Sequence, residues 1–294
     1  MKLGLGTVQF GLSYGISNYE GKTAADEVRA MLSFASSSGI EVLDTAALYG
    51  SSEEVLGQCL FDARFRIVTK THHFRKARIT RDDADTLEGT FHESLRKLGR
   101  DSVYGLLLHN CDDALSPGGE LLLERMSALQ SRGLVRKTGV SAYTPEQVER
   151  VLEIAQISLV QVPFNVMDQR FQREGVFAHL KAKEVEIHTR SVFLQGSLLL
   201  SPDLLPANLA EYRSTFRAFE NTARERDISP LHLALGFALA QDEIDQVIVG
   251  ACSVSQLAEI VSVSAEGFSS LDDLRQLASN DERLINPSMW VASS

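Results

Sequence analysis

A closed (β/α)8 barrel of parallel strands is the fold this sequence predicts, and three observations carry the prediction. Short aliphatic or β-branched runs alternate with longer helical patterns along nearly the whole chain, and eight such units can be counted. Asp44, Lys70 and His109 each stand at or just past the C-terminal end of one of those runs, with Tyr49 five residues beyond Asp44. The length, 294 residues without a linker or low-complexity tract, suits one barrel unit over residues 1–294. An open doubly wound sheet is the runner-up. It would show its glycine-rich turn early, and Gly4-Leu-Gly6 lacks the GxGxxG spacing.

The elements follow in order. Residues 2–9 read as the first strand and 23–37 as its helix. Residues 41–44 form the second strand, and a helix over 51–61 opens on Ser51-Ser-Glu-Glu54, a hydroxyl with a carboxylate three residues on, which predicts a capping box. Residues 66–70 are the third strand, followed by the amphipathic stretch 81–98 with Gly99 as its C-cap. The fourth unit is 103–109 and 119–131. The fifth strand, 136–141, leads to a helix opening at Thr144-Pro-Glu-Gln147, a cap hydroxyl followed by proline at the first helical position. Residues 158–162 precede a helix near 170–183. Residues 185–192 precede a longer excursion holding helices over 211–226 and 231–241, and the last unit is 246–250 with 253–263.

Composition narrows the function classes. Lys and Arg number 29 against 39 Asp and Glu, a formal net charge of −10, which argues against nucleic acid or an anionic membrane surface as partner. Cys59, Cys111 and Cys252 form no CxxC pair, so a reduced, cytoplasmic protein is expected rather than a disulfide framework or a zinc site. The N-terminal Met-Lys-Leu-Gly-Leu-Gly-Thr lacks an apolar stretch long enough for a signal peptide, so none is expected, and no run approaches the roughly 18 apolar residues of a membrane span.

Side chains at strand C-termini converge on one rim of a parallel barrel. A phenol, an ammonium, an imidazole and a carboxylate gathered there suit proton transfer to a carbonyl oxygen. Each alone has an ordinary reading: Asp44 as a helix cap, Tyr49 as a rim aromatic, Lys70 as a solvated strand end, His109 as a satisfied core group. His72 and His73 do not read as a metal pair, because neighbours in an extended segment point to opposite faces. A place for His72 at the pocket mouth, touching substrate, is expected instead. Asp112-Asp113 reads as a solvated loop, and Cys111 and Cys252 as unreactive rim residues.

The chain resembles the aldo-keto reductase superfamily across nearly its full length. The resemblance rests on Gly4-Leu-Gly-Thr7, Asp44-Thr-Ala-Ala-Leu-Tyr-Gly50, Val68-Thr-Lys70, Leu106-Leu-Leu-His109, Gly133-Leu-Val-Arg-Lys-Thr-Gly-Val-Ser141, Gln161, the segment from Ser191 to Gly196, and Val249-Gly-Ala followed by Gln256-Leu-Ala-Glu259. It implies a barrel that binds NADP or NAD without a Rossmann domain and acts on a small carbonyl or alcohol substrate. Tyr49 would donate the proton, with Lys70 and His109 shaping its affinity and Asp44 paired to Lys70. Free Tyr and Lys titrate near ~10 and ~10.4, so the ammonium is expected to pull the phenol down while the carboxylate keeps the ammonium charged.

The resemblance further implies cofactor contacts from Gly6, Thr7, Ser141 and Gln161. It adds Arg190, Ser191, Phe193, Leu194 and Gly196 after the seventh strand, and Gly250, Ser253, Gln256 and Glu259 after the eighth. Relatives carry Ser-Asn where this chain has Ser141-Ala142, and an aromatic that stacks on nicotinamide where it has Arg190, or Ser191 if the match slips by one. Residues 247–274 contain no Lys or Arg to clamp a 2′-phosphate, so NADP and NAD stay open. Trp290, the chain's only tryptophan, is expected to fold over the pocket as a substrate wall. Competing readings are an NAD-dependent sugar or alcohol dehydrogenase and a non-catalytic, cofactor-sensing regulatory subunit.

Overall fold

Eight strands, none longer than seven residues, pair edge to edge until the last meets the first. They are β1 (Leu3–Gly6), β2 (Val42–Asp44), β3 (Arg66–Lys70), β4 (Val103–Leu108), β5 (Val135–Ser141), β6 (Leu159–Pro163), β7 (Glu186–Arg190) and β8 (Gln246–Gly250). All neighbours run parallel, in chain order, and β8 closes on β1. The structure, a computed structural model, describes residues 1–18, 20–60, 62, 64–266 and 272–290. This is the (β/α)8 barrel the sequence predicts.

Strand periodicity of two decides what faces the lumen. Val42, Val68, Leu107, Leu159 and Ile248 form an apolar cluster of their own, while their strand neighbours Leu43, Ile67, Leu106, Leu108, Val160, Val247 and Val249 join the larger core under the helices. Two residues above that inner layer, on the same face, come Asp44, Lys70, His109, Gln161 and Gly250. The alternation that fills the lumen therefore also aims the polar groups at the C-terminal rim. The lumen is tight: a Cβ on Gly4 would lie 2.5 Å from Ile248 Cδ1. At the opposite rim Glu186 lies 2.7 Å from His188 Nε2, and its carboxylate accepts from Lys137 Nζ (2.7 Å) and Tyr104 Oη (2.5 Å). Against the cost of burial, these partners hold the Glu186 carboxyl well below the usual carboxylate range.

Several predicted elements differ in detail. The first strand stops at Gly6; Val8–Gly11 is a helical turn started by Thr7, whose carbonyl accepts from Phe10 N–H. The capping box at Ser51 does not form. Ser51 has φ −91° and ψ 14° rather than the extended backbone of a cap, and its hydroxyl accepts instead from Lys22 Nζ (2.6 Å). The helix itself spans Ser52–Cys59, and Phe61, where it was expected to end, lies outside the described residues. Thr144 caps its helix as expected, and a capping box completes it: Gln147 N–H donates to Thr144 Oγ1 (3.2 Å) and Thr144 N–H to Gln147 Oε1 (3.2 Å). The stretch 170–183 is two helices, Arg170–Arg173 and Val176–Ala182, separated at Gly175, whose φ is 76°. Asp113 is no loop acid. It is buried in the short helix Cys111–Leu115, where its carboxylate accepts from Phe74 N–H (2.9 Å) and Arg75 N–H (2.8 Å) and ties down the segment after β3. No helix among the described residues is long and apolar enough to cross a membrane.

Candidate active site

The rim groups meet in one cavity of about 520 Å³ at the C-terminal ends of the strands. Lys70 Nζ donates to Asp44 Oδ1 (2.8 Å), Asp44 Oδ2 (2.6 Å) and the Thr45 carbonyl (3.0 Å), and lies 3.5 Å from Tyr49 Oη. The pair is almost sealed, its side chains 1% and 6% exposed. Gln161 Nε2 donates to Asp44 Oδ1 (2.7 Å), so the carboxylate is held by two strands besides its own. Tyr49 sits on the turn after β2, fixed by its N–H to the Ala46 carbonyl (3.0 Å). Its ring meets that of His109 edge to face at 5.7 Å, and Lys70 Nζ stands 5.0 Å from the ring centre.

The electrostatics correct one expectation. Burial, and next the Asp44 carboxylate, push the Tyr49 phenol above its usual range rather than below it. The physical reason is that the Lys70 charge is spent at short range on Asp44 and reaches Tyr49 only at 3.5 Å. Burial lowers the proton affinity of Lys70 itself, outweighing Asp44. His109 is driven well below the ordinary imidazole range by desolvation, then by the charges of Lys70, His73 and Arg190. A neutral imidazole is thereby available as a single donor.

A stability consequence follows from His109. Its folded proton affinity is depressed relative to the unfolded ~6.5, so below that pH the unfolded state binds more protons and stability falls as pH drops. His109→Asn is expected to remove that contribution, flattening the fall in melting temperature between about pH 6.5 and 4.5. The difference in slope is at most ~1.4 kcal/mol per pH unit. Parallel melting curves for parent and variant across this range would show that His109 is not the titrating group.

Of the residues expected to hold a cofactor, Gly6, Thr7, Ser141, Gln161 and Arg190 line the cavity, as do Ser191, Phe193, Gly196, Gly250, Gln256 and Glu259. Leu194 is fully buried and does not line it. Ser253 caps the helix Val254–Ala265, its hydroxyl accepting from Gln256 N–H (3.2 Å), and lies outside the lining. The residues present fit a nicotinamide dinucleotide. Gln161 Oε1 is buried without a hydrogen-bond partner, next to Ser141 across the β5–β6 pair, a donor–acceptor set suited to a carboxamide. Gly196, with φ 90°, lets the loop after β7 reach the loop after β1: a Cβ there would lie 2.1 Å from Ser17 Oγ, and Ile16 N–H donates to the Gln195 carbonyl (3.1 Å). Beyond β8, Glu27 Oε1 accepts from Val254 N–H (2.6 Å) and Gln256 Oε1 from Cys252 N–H (2.8 Å).

The substrate-side expectations fare differently. His72 is not among the lining residues; its neighbour His73 turns inward and packs edge-on against His109, ring centres 4.7 Å apart. Trp290 does not line the cavity. Its indole Nε1 donates to the Arg283 carbonyl (2.9 Å), and its ring packs on the core beside helix Glu282–Ile285. Sequence reasoning passed over Tyr14 and Tyr143, which do line the cavity. Arg190 stacks on Tyr143, its Cζ 4.3 Å from the ring centre. The only local signal was an aromatic directly after Ser141-Ala142.

Comparison with known proteins adds an independent line. A family model described as the aldo/keto reductase family matches residues 2–279. The aldo-keto reductase YhdN of Bacillus subtilis is 26% identical, over 92% of this chain and 87% of that one. The L-galactose dehydrogenase of Arabidopsis thaliana is 27% identical, over 97% and 92% respectively. Among solved structures, an aldo-keto reductase from Bacillus halodurans in its holo form has a TM-score of 0.73 at 20% identity, covering 96% of this chain and 95% of that chain. The last likeness concerns the fold alone.

Proposed function

The chain belongs to the aldo/keto reductase family, and from that premise we propose that it is an NAD(P)-dependent oxidoreductase reducing an aldehyde, ketone or sugar-like carbonyl with Tyr49 as proton donor. The observation that carries the reading is the meeting of Tyr49, Lys70, Asp44 and His109 in one cavity with the orphaned Gln161 carbonyl oxygen. The nicotinamide, when bound, supplies the hydride. Every other role falls to this chain. Tyr49 keeps its proton at neutral pH and gives it up only to a stronger base, and an alkoxide forming at the carbonyl oxygen is such a base. Neutral His109 donates to the same oxygen and fixes its direction, while Lys70, closed on Asp44, stands 3.5 Å from the phenol oxygen and holds it in place. Turnover of a panel of generic aldehydes with NADH and with NADPH tests the proposal; a protein that binds cofactor yet turns over none of them would instead be a sensing subunit.

Direction and cofactor remain linked. Residues 247–274 offer no cation, and the Val254 N–H at the start of the helix after β8 is already taken by the Glu27 carboxylate. Both features disfavour a dianionic 2′-phosphate and support the second reading, a dehydrogenase that oxidises a sugar or alcohol with NAD. NADH is therefore expected to bind within about tenfold of NADPH, because hydrogen bonds to a charged group contribute ~1.5–3 kcal/mol and their absence removes roughly 10- to 100-fold of preference. Cys252→Arg, at the cavity wall, is expected to shift selectivity toward NADPH by a factor in that range. Dissociation constants at fixed salt decide it: a parent preference for NADPH above a hundredfold would mean that a cation from elsewhere in the fold supplies the clamp.

A further inference from the structure

Carbonyl reduction gives the Arg190 guanidinium no task. Arg190 ends β7 and lines the same space as Tyr49 and His109. Its guanidinium, which carries five N–H donors, makes two long hydrogen bonds among the described residues, both to neutral acceptors: Ser191 Oγ at 3.3 Å and the Ala142 carbonyl at 3.4 Å. No carboxylate pairs with it among the described residues. The other charges of the catalytic half cancel, since the Lys70 ammonium is closed on Asp44. Glu259, which also lines the cavity, belongs to the helix after β8. One positive charge is therefore left uncompensated beside the reacting groups.

That charge is aimed. The Tyr143 ring, 4.3 Å from Arg190 Cζ, carries the guanidinium and fixes its position. Tyr14 stands in the same cavity, and the Arg190 charge opposes the desolvation that raises the proton affinities of Tyr14 and Tyr49. A partly desolvated cation facing weak neutral acceptors is unfavourable until an anion joins it. A guanidinium fork matches the oxygen pair of a carboxylate or a phosphate.

We infer that Arg190, carried on Tyr143, anchors an anionic group of the substrate, so that the site takes aldehydes or ketones bearing a carboxylate or a phosphate. The inference rests on the carbonyl-reducing reading of the site and names its substrate class. It is tested with three aromatic ligands titrated into the protein at saturating cofactor: benzoate, phenyl phosphate and the neutral isostere benzamide. The parent is expected to bind the better anion roughly 10- to 100-fold more tightly than benzamide, the span of a charge-assisted hydrogen bond. The tighter of the two anions identifies the headgroup. Arg190→Gln is expected to bring the ratio to within about threefold, and Arg190→Lys, which keeps the charge without the fork, to retain an intermediate ratio. Melting curves confirm that both variants fold.

Equal binding of all three ligands by the parent overturns the inference. So does an unchanged ratio in Arg190→Gln; if cofactor affinity falls there instead, the charge serves the cofactor. Reduction of neutral benzaldehyde, and its loss in Tyr49→Phe, tests the underlying reading separately from the ligand ratio.

Discussion

Replacing Tyr49 with phenylalanine is expected to lower turnover by roughly 10²-fold or more, the scale of losing a general acid, or about 2.7 kcal/mol of transition-state stabilisation. The substitution removes one hydroxyl and leaves the ring. Its edge-to-face contact with His109 at 5.7 Å and its place above Lys70 Nζ at 5.0 Å both survive, so the fold and cofactor affinity should change little. The loss should therefore fall on kcat and kcat/KM together, the signature of an interaction made only in the transition state. Near-parental reduction by Tyr49→Phe of a substrate the parent accepts would remove Tyr49 as proton donor.

Asp44→Ala is expected to be the most damaging change to stability, by ~3–5 kcal/mol at neutral pH. Lys70, with 1% of its side chain exposed, would lose both short bonds and keep the Thr45 carbonyl at 3.0 Å and the Tyr49 hydroxyl at 3.5 Å, and Gln161 Nε2 would lose its acceptor. The pH dependence distinguishes an unpaired charge from a lost contact. Burial lowers the folded proton affinity of Lys70 below its unfolded value, and without Asp44 nothing opposes this. The unfolded chain then binds the extra proton, so the deficit is full below the folded value and shrinks as pH rises toward ~10.4. Denaturation of parent and variant at pH 7 and pH 9.5 measures this, and Asp44→Ala combined with Lys70→Met should recover much of the loss. A constant deficit at both pH values, unrelieved by the second substitution, would show that packing rather than charge is at stake.

Much of this site was legible because its determinants are local. The apolar layer Val42, Val68, Leu107, Leu159 and Ile248 and the polar residues two positions on, Asp44, Lys70, His109, Gln161 and Gly250, obey one strand period. Parity and strand order are written in neighbouring residues, and closure of the barrel converts them into convergence on one rim. The helix starts show the limit of that logic. Thr144 caps as its pattern predicts, whereas Ser51 has an equally good pattern and the wrong backbone, because the turn that brings Tyr49 over Lys70 sets its angles.

The sequence by itself thus determined the barrel, the order of its strands, and which carboxylate, ammonium, phenol and imidazole meet. Only the tertiary structure decided the rest. It turned His73 rather than His72 toward His109, left Trp290 on the core beside Arg283, and laid Arg190 on Tyr143. It also set Glu27 against Val254 N–H, 227 residues away. The direction of the Tyr49 shift belongs with these, since it depends on how closely Asp44 captures Lys70 and how much water the surrounding loops exclude. Periodicity fixes the face on which a side chain leaves its strand or helix; distances of a few ångströms between loops are set by packing of the whole chain, and burial and charge act over those distances.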